Sequence, residues 1–89
     1  MFKPLNWEQE KENRFKAIID VSSGAFRNHI TYNVFLHKGE YWRVMVSGSF
    51  VGLDELEKSA TKEEAMEKAE KNYQGCLMDL QKALDSLKE

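Results

Sequence analysis

Eighty-nine residues, 42% hydrophobic, 11% aromatic and 31% charged, suffice for one domain, 1–89, with a small core that buries roughly 60–65% of the unfolded chain's surface. A net charge of −2 excludes the dense basic stripe of a strong non-specific DNA binder, and one cysteine excludes an intramolecular disulfide. No run approaches the roughly 20 apolar residues of a membrane span, and residues 1–12 lack the apolar stretch of a secretory leader, so a reducing cytoplasm is the expected setting.

Residues 1–12 read as an N-terminal arm. Asn6 is a candidate N-cap, with Gln9 three positions on, as in a capping box. Glu8, Glu10 and Glu12 favour the front of a short helical turn through the helix dipole. From Arg14 the period becomes two: Phe15, Ala17, Ile19 and Val21 alternate with Arg14, Lys16, Ile18 and Asp20, the signature of a strand. Ser22-Ser23-Gly24 breaks it. Ile30, Tyr32, Val34 and Leu36 then alternate with Thr31, Asn33, Phe35 and His37. After Lys38-Gly39-Glu40, Trp42, Val44 and Val46 alternate with Tyr41, Arg43 and Met45.

The turn at Gly39 sets the register. A two-residue loop would pair Leu36 with Tyr41 and mix the apolar sets, whereas an odd loop pairs Leu36 with Trp42, Val34 with Val44 and Tyr32 with Val46. A one-residue slip moves every side chain to the other face, so the coherent apolar face selects the odd loop. The expected core face is Phe15, Ala17, Ile19, Val21, Tyr32, Val34, Leu36, Trp42, Val44 and Val46. Trp42 is its expected centre, where truncation to alanine costs roughly 3–5 kcal/mol if the ring is fully buried. Residues 47–52 read as a bulged continuation or a short fourth strand, and residues 54–58 as one helical turn.

Thr61-Lys62-Glu63-Glu64 matches a capping box. It opens a helix over 61–87 with the apolar stripe Ala65, Ala69, Tyr73, Cys76, Leu77, Leu80, Leu84 and Leu87. Such a helix is about 40 Å long, against about 23 Å for a seven-residue strand. It either overhangs the sheet or breaks near Gly75, and an overhang needs cover from Trp7, Phe26 or a second subunit. The expected architecture is α+β: a three-stranded antiparallel sheet over 13–52, four-stranded if residues 47–52 pair, packed on one long C-terminal helix.

One helix covers one face of such a sheet. The other face collects Arg14, Lys16, Phe35, Tyr41, Arg43 and Met45, the residue types enriched at interface hot spots. Trp7 either caps this face or covers the helix overhang. Charge is uneven along the chain: residues 1–53 hold seven Lys/Arg against five Asp/Glu (+2), and residues 54–89 hold six against ten (−4). Glu63, Glu64, Glu67 and Glu70 form an acidic helix face, a second candidate surface.

Catalytic, metal and cofactor signatures are not found. His29 and His37 lie about 26 Å apart on a straight strand, and Cys76 adds no zinc-type spacing. Cys76 sits on the apolar stripe, where a small buried thiol is expected rather than a nucleophile.

Glu40-Tyr41-Trp42-Arg43-Val44, followed by the helix start at residues 61–69, resembles the three-stranded sheet plus helix of arm-type integrase DNA-binding domains. That resemblance implies a sheet entering the major groove through Arg14, Lys16 and Arg43; those domains tend to be basic, and this chain is slightly acidic. In size, acidic balance and lack of catalytic residues, the chain also resembles small phage-encoded accessory proteins, including anti-CRISPR inhibitors of bacterial defence complexes. This second resemblance implies a non-enzymatic protein-binding module that occupies a surface of a host complex. A sheet-based nucleic-acid reader and a structural homodimer are the alternatives.

Overall fold

The structure, a computed structural model, describes residues 2–48 and 52–88. Five strands, β1 (Glu8–Lys11), β2 (Arg14–Ser23), β3 (Phe26–His37), β4 (Tyr41–Gly48) and β5 (Gly52–Glu55), precede one helix, α1 (Lys62–Asp85). The strands form a single antiparallel meander in chain order. The α+β class and the sheet-then-helix order are as expected; the strand count is five rather than three or four.

The extra strands lie at the two edges. Glu8–Lys11 was expected to be helical and instead pairs with β2, Glu8 opposite Lys16 and Gln9 opposite Phe15. Gly52–Glu55 replaces the start of the helical turn expected at 54–58 and pairs with β4, Met45 opposite Glu55. The chain then stays beside β4 as far as Ser59, which exchanges two backbone hydrogen bonds with Trp42 at 2.8 and 3.1 Å. Of the expected fourth-strand segment, residues 49–51 lie outside the described residues.

The β3–β4 register is the odd one. Leu36 lies opposite Trp42, Val34 opposite Val44 and Tyr32 opposite Val46, with His37 and Tyr41 closing a three-residue turn. Lys38 (φ 53°) and Gly39 (φ 70°) both sit in the left-handed region, which a glycine adopts at no steric cost. Glu40 N–H donates back to His37 O at 3.0 Å.

The core lies between one sheet face and α1. Tyr32, Ile30, Val34 and Val44 are its most buried large side chains, joined by Ala17, Val46, Ala65, Ala69, Tyr73 and Leu77. Ala65 and Ala69 are fully buried on the helix face turned to the sheet. Trp42 is not the centre expected of it. It is half-buried and packs beside the core, with its ring 6.5 Å from Phe15 at the end of the sheet nearest the helix start. Phe15, Ile19, Val21 and Leu36 face the core as expected but are only half-buried.

Thr61 is the N-cap, and its Oγ1 accepts from Glu64 N–H at 3.1 Å. The helix runs unbroken through Gly75, so it overhangs rather than breaks. Leu5, absent from the expected core, is buried in it. Leu5 N–H donates to Glu70 Oε1 at 3.0 Å, and Gln74 Nε2 donates to Phe2 O at 3.4 Å. These bonds pin the N-terminal arm to the helix, and Trp7 packs against the core from the same side.

Candidate functional site

The apolar side chains of the arm go to the helix side, and among its described residues only Glu10 reaches the bases of the opposite sheet face. Arg14, Lys16, Thr31, Asn33, Phe35, His37, Tyr41, Arg43 and Met45 are all partly accessible, and none is buried. Strand pairing sets them in rows across β2, β3 and β4: Arg14, Phe35 and Arg43 in one, and Lys16, Asn33 and Met45 in the next. His37 and Tyr41 form a third. All six side chains expected at the sheet site therefore share one face.

Phe35 is the centre of this patch. The Arg14 guanidinium carbon lies 5.0 Å from its ring centroid and that of Arg43 5.3 Å, both within cation–π range. Beside it, the Tyr41 ring lies 5.0 Å from His37, and Lys58 Nζ lies 4.5 Å from the Tyr41 centroid. Arg43 also reaches Met45 Sδ at 3.7 Å.

The bases on this face carry their own counter-charges. Arg43 donates Nε to Glu55 Oε2 at 2.7 Å and a terminal nitrogen to Glu55 Oε1 at 2.6 Å, the planar two-point pairing that suits guanidinium to carboxylate. Those hydrogen bonds, against an opposing desolvation effect, hold the Glu55 carboxyl below its ordinary range and raise Arg43. Glu10 serves both Lys16, at 3.2 Å, and Arg14, at 3.6 Å. Glu10 and Glu55, with Lys58, are the members of this surface that sequence reasoning missed. The two carboxylates sit on the edge strands β1 and β5, in segments whose composition reads as helical, and no local signal places them beside the bases.

The acidic helix face is less concentrated than its spacing suggests. Glu64 pairs with Lys68 at 3.4 Å and Glu67 with Lys71 at 3.1 Å. Glu70 is partly buried and holds the arm through Leu5, while Gln74 donates to its other oxygen at 3.1 Å. Glu63 is exposed in the first helical turn.

Cys76 is half-buried and its thiol donates to Asn72 Oδ1 at 3.7 Å. Burial, with Asp79 nearby, raises the thiol above its ordinary value, which keeps it protonated and disfavours nucleophilic use. Among the described residues, no group of three His, Cys, Asp or Glu side chains is placed to hold a metal ion, and no helix is long and apolar enough to cross a membrane. No protein-family model matches the chain, and neither the curated proteins nor the solved structures yield a match.

Proposed function

We propose that the chain is a non-enzymatic protein-binding module that docks a partner protein on the uncovered sheet face around Phe35. One observation carries this reading: an aromatic ring flanked by two guanidinium groups whose charges are already answered by Glu10 and Glu55. A patch of Phe, Tyr, Met and Arg in which two carboxylates offset part of the charge of three bases suits a mixed apolar and polar protein surface. A nucleic acid is the weaker occupant, since its phosphates would have to displace both carboxylates to reach Arg14, Lys16 and Arg43. Inhibition of a host or defence complex, in a reducing cytoplasm, belongs to the same proposal, because occupying a surface needs no chemistry of its own.

Affinity capture from a bacterial lysate tests it, with wild type compared against Phe35→Ala, Tyr41→Ala and a Glu63→Lys/Glu67→Lys control. The expected result is a partner retained by wild type and by the acidic-face control and lost by the two aromatic truncations. Retention by Phe35→Ala and Tyr41→Ala would move the site elsewhere. A mobility-shift series at low salt is expected to show no complex; a complex that weakens steeply with added salt would assign the face to nucleic acid.

A further inference from the structure

The end of the molecule opposite the helix N-terminus is incompletely built. Among the described residues, β1 accompanies β2 only as far as Lys16, and β4 accompanies β3 only from Ile30 onward. Beyond those points β2 and β3 continue, among the described residues, as a two-stranded ribbon to the turn that Ser23 and Phe26 close. Two strands alone are marginal in water. The second half of α1 runs along the same end, and between it and β2 lies a groove of about 1040 Å³, walled by Ile19 and Val21 on one side and by Leu77, Leu80 and Leu84 on the other. Leu84 is 54% exposed and Leu87 81%.

The outer edge of β2 is also open. Asn13 O accepts from Leu36 N–H at 3.0 Å, so odd-numbered residues of β2 turn their backbone groups toward β3 and even-numbered residues turn theirs outward. Arg14 and Lys16 face β1. Ile18, Asp20 and Ser22 come after the end of the β1 pairing, and among the described residues no strand lies beside them. An unpaired edge next to an apolar groove is a template for another strand.

We propose that the occupant is a second copy of this chain, joined through antiparallel pairing of β2 with its twofold mate, so that the two helix tails close over the combined ribbon. Three observations select a copy of itself. First, the accessible surface is 6290 Å², whereas a compact monomer of 10.4 kDa exposes about 5400 Å². The excess of about 900 Å² matches the roughly 800 Å² that each partner buries in a standard interface. Second, the radius of gyration is 14.2 Å and the longest dimension 51 Å, against about 12 Å for a compact chain of this length. Third, the charged side chains at the groove, Lys3 and Lys88 against Asp20 and Asp85, cancel, so the surface is suited to its own image and offers no field to a strongly charged partner. A twofold axis perpendicular to the sheet puts both helices on one face. Placed near Val21, it sets Asp20 opposite Ser22 and avoids facing the two Asp20 carboxylates. This inference is independent of the sheet-face reading, which uses a different surface.

Sedimentation of the full chain across a concentration series up to the millimolar range is the test, combined with amide hydrogen exchange. The expected mass is about 21 kDa, twice 10.4 kDa, with slow exchange at Asp20 and Ser22. Ile18→Lys charges the open edge at a side chain that is 57% exposed, and Leu84→Glu charges the helix tail. Each is expected to halve the mass while leaving far-ultraviolet dichroism unchanged, and Ile18→Lys to restore fast exchange at the edge amides. A mass of 10.4 kDa at every concentration overturns the proposal. So does a dimer whose Asp20 and Ser22 amides exchange freely, or a monomer that takes up an apolar dye in the groove.

Discussion

Tyr32 shows how one residue ties the layers together. Its ring is fully buried, and its hydroxyl donates to Asn72 Oδ1 on the helix at 2.7 Å. Burial, with smaller contributions from Cys76, Tyr73 and Glu70, pushes the phenol well above its ordinary value. The folded state therefore keeps this proton where the unfolded chain, ionising near pH 10, gives it up. The resulting stability is complete below that pH and declines as pH rises through it. Tyr32→Phe is expected to cost about 1 kcal/mol at neutral pH, because the half-buried Asn72 Oδ1 loses its shorter hydrogen bond and keeps only the weak one from the Cys76 thiol. It should also flatten the alkaline decline, read by urea unfolding over a pH series.

Glu55 obeys the opposite sign. Its carboxyl is held low by Arg43, so the ion pair persists above the ordinary carboxylate value and is lost as pH falls. In Arg43→Ala, a nuclear magnetic resonance titration should find Glu55 back in the ordinary range. Because this pair is on the surface, the unfolding midpoint should hardly move.

Among the elements, α1 was the most legible. Its cap and its acidic first turn are local features and lie where their spacing puts them; of the expected stripe, Ala65, Ala69, Tyr73 and Leu77 are buried, whereas Leu84 and Leu87 are exposed and the helix ends at Asp85, short of Leu87. Thr61→Ala removes the bond to Glu64 N–H and should cost about 1 kcal/mol. Gly75 lies inside the helix, and a Cβ there meets nothing within 4 Å. Gly75→Ala should therefore stabilise the fold by about 0.5–1 kcal/mol, seen as a higher denaturant midpoint with unchanged slope. The strands β2, β3 and β4 were legible through their alternation, and the coherent apolar face selected the register. By contrast, β1 and β5 were misread. Glu-Gln-Glu-Lys and Gly-Leu-Asp-Glu lack alternation, and Glu, Gln and Lys are good helix formers that strands disfavour. An isolated helical turn is too costly to nucleate, so a neighbouring edge that supplies ladder hydrogen bonds prevails.

At the scale of the whole molecule, the sheet has a built end and an unbuilt one. The built end holds the dense core; Ile30→Ala, at a fully buried site, should cost about 2–5 kcal/mol in equilibrium unfolding. The unbuilt end keeps its edge strand and helix tail exposed. The sheet-face patch and the open edge have one cause: a single helix cannot cover two sheet faces, nor the full length of a hairpin longer than the strands beside it.

Periodicity and capping are properties of neighbouring residues, so the amino-acid order alone determined the three central strands, their facing, the long helix and the partition of Phe35, Tyr41, Arg43 and Met45 from the core. Which segments would lie at the sheet's edges, where the arm would run, and that Glu10 and Glu55 would pair with the bases were decided only by tertiary structure. Those outcomes depend on contacts between residues far apart in the chain, and short polar segments carry no pattern that records them.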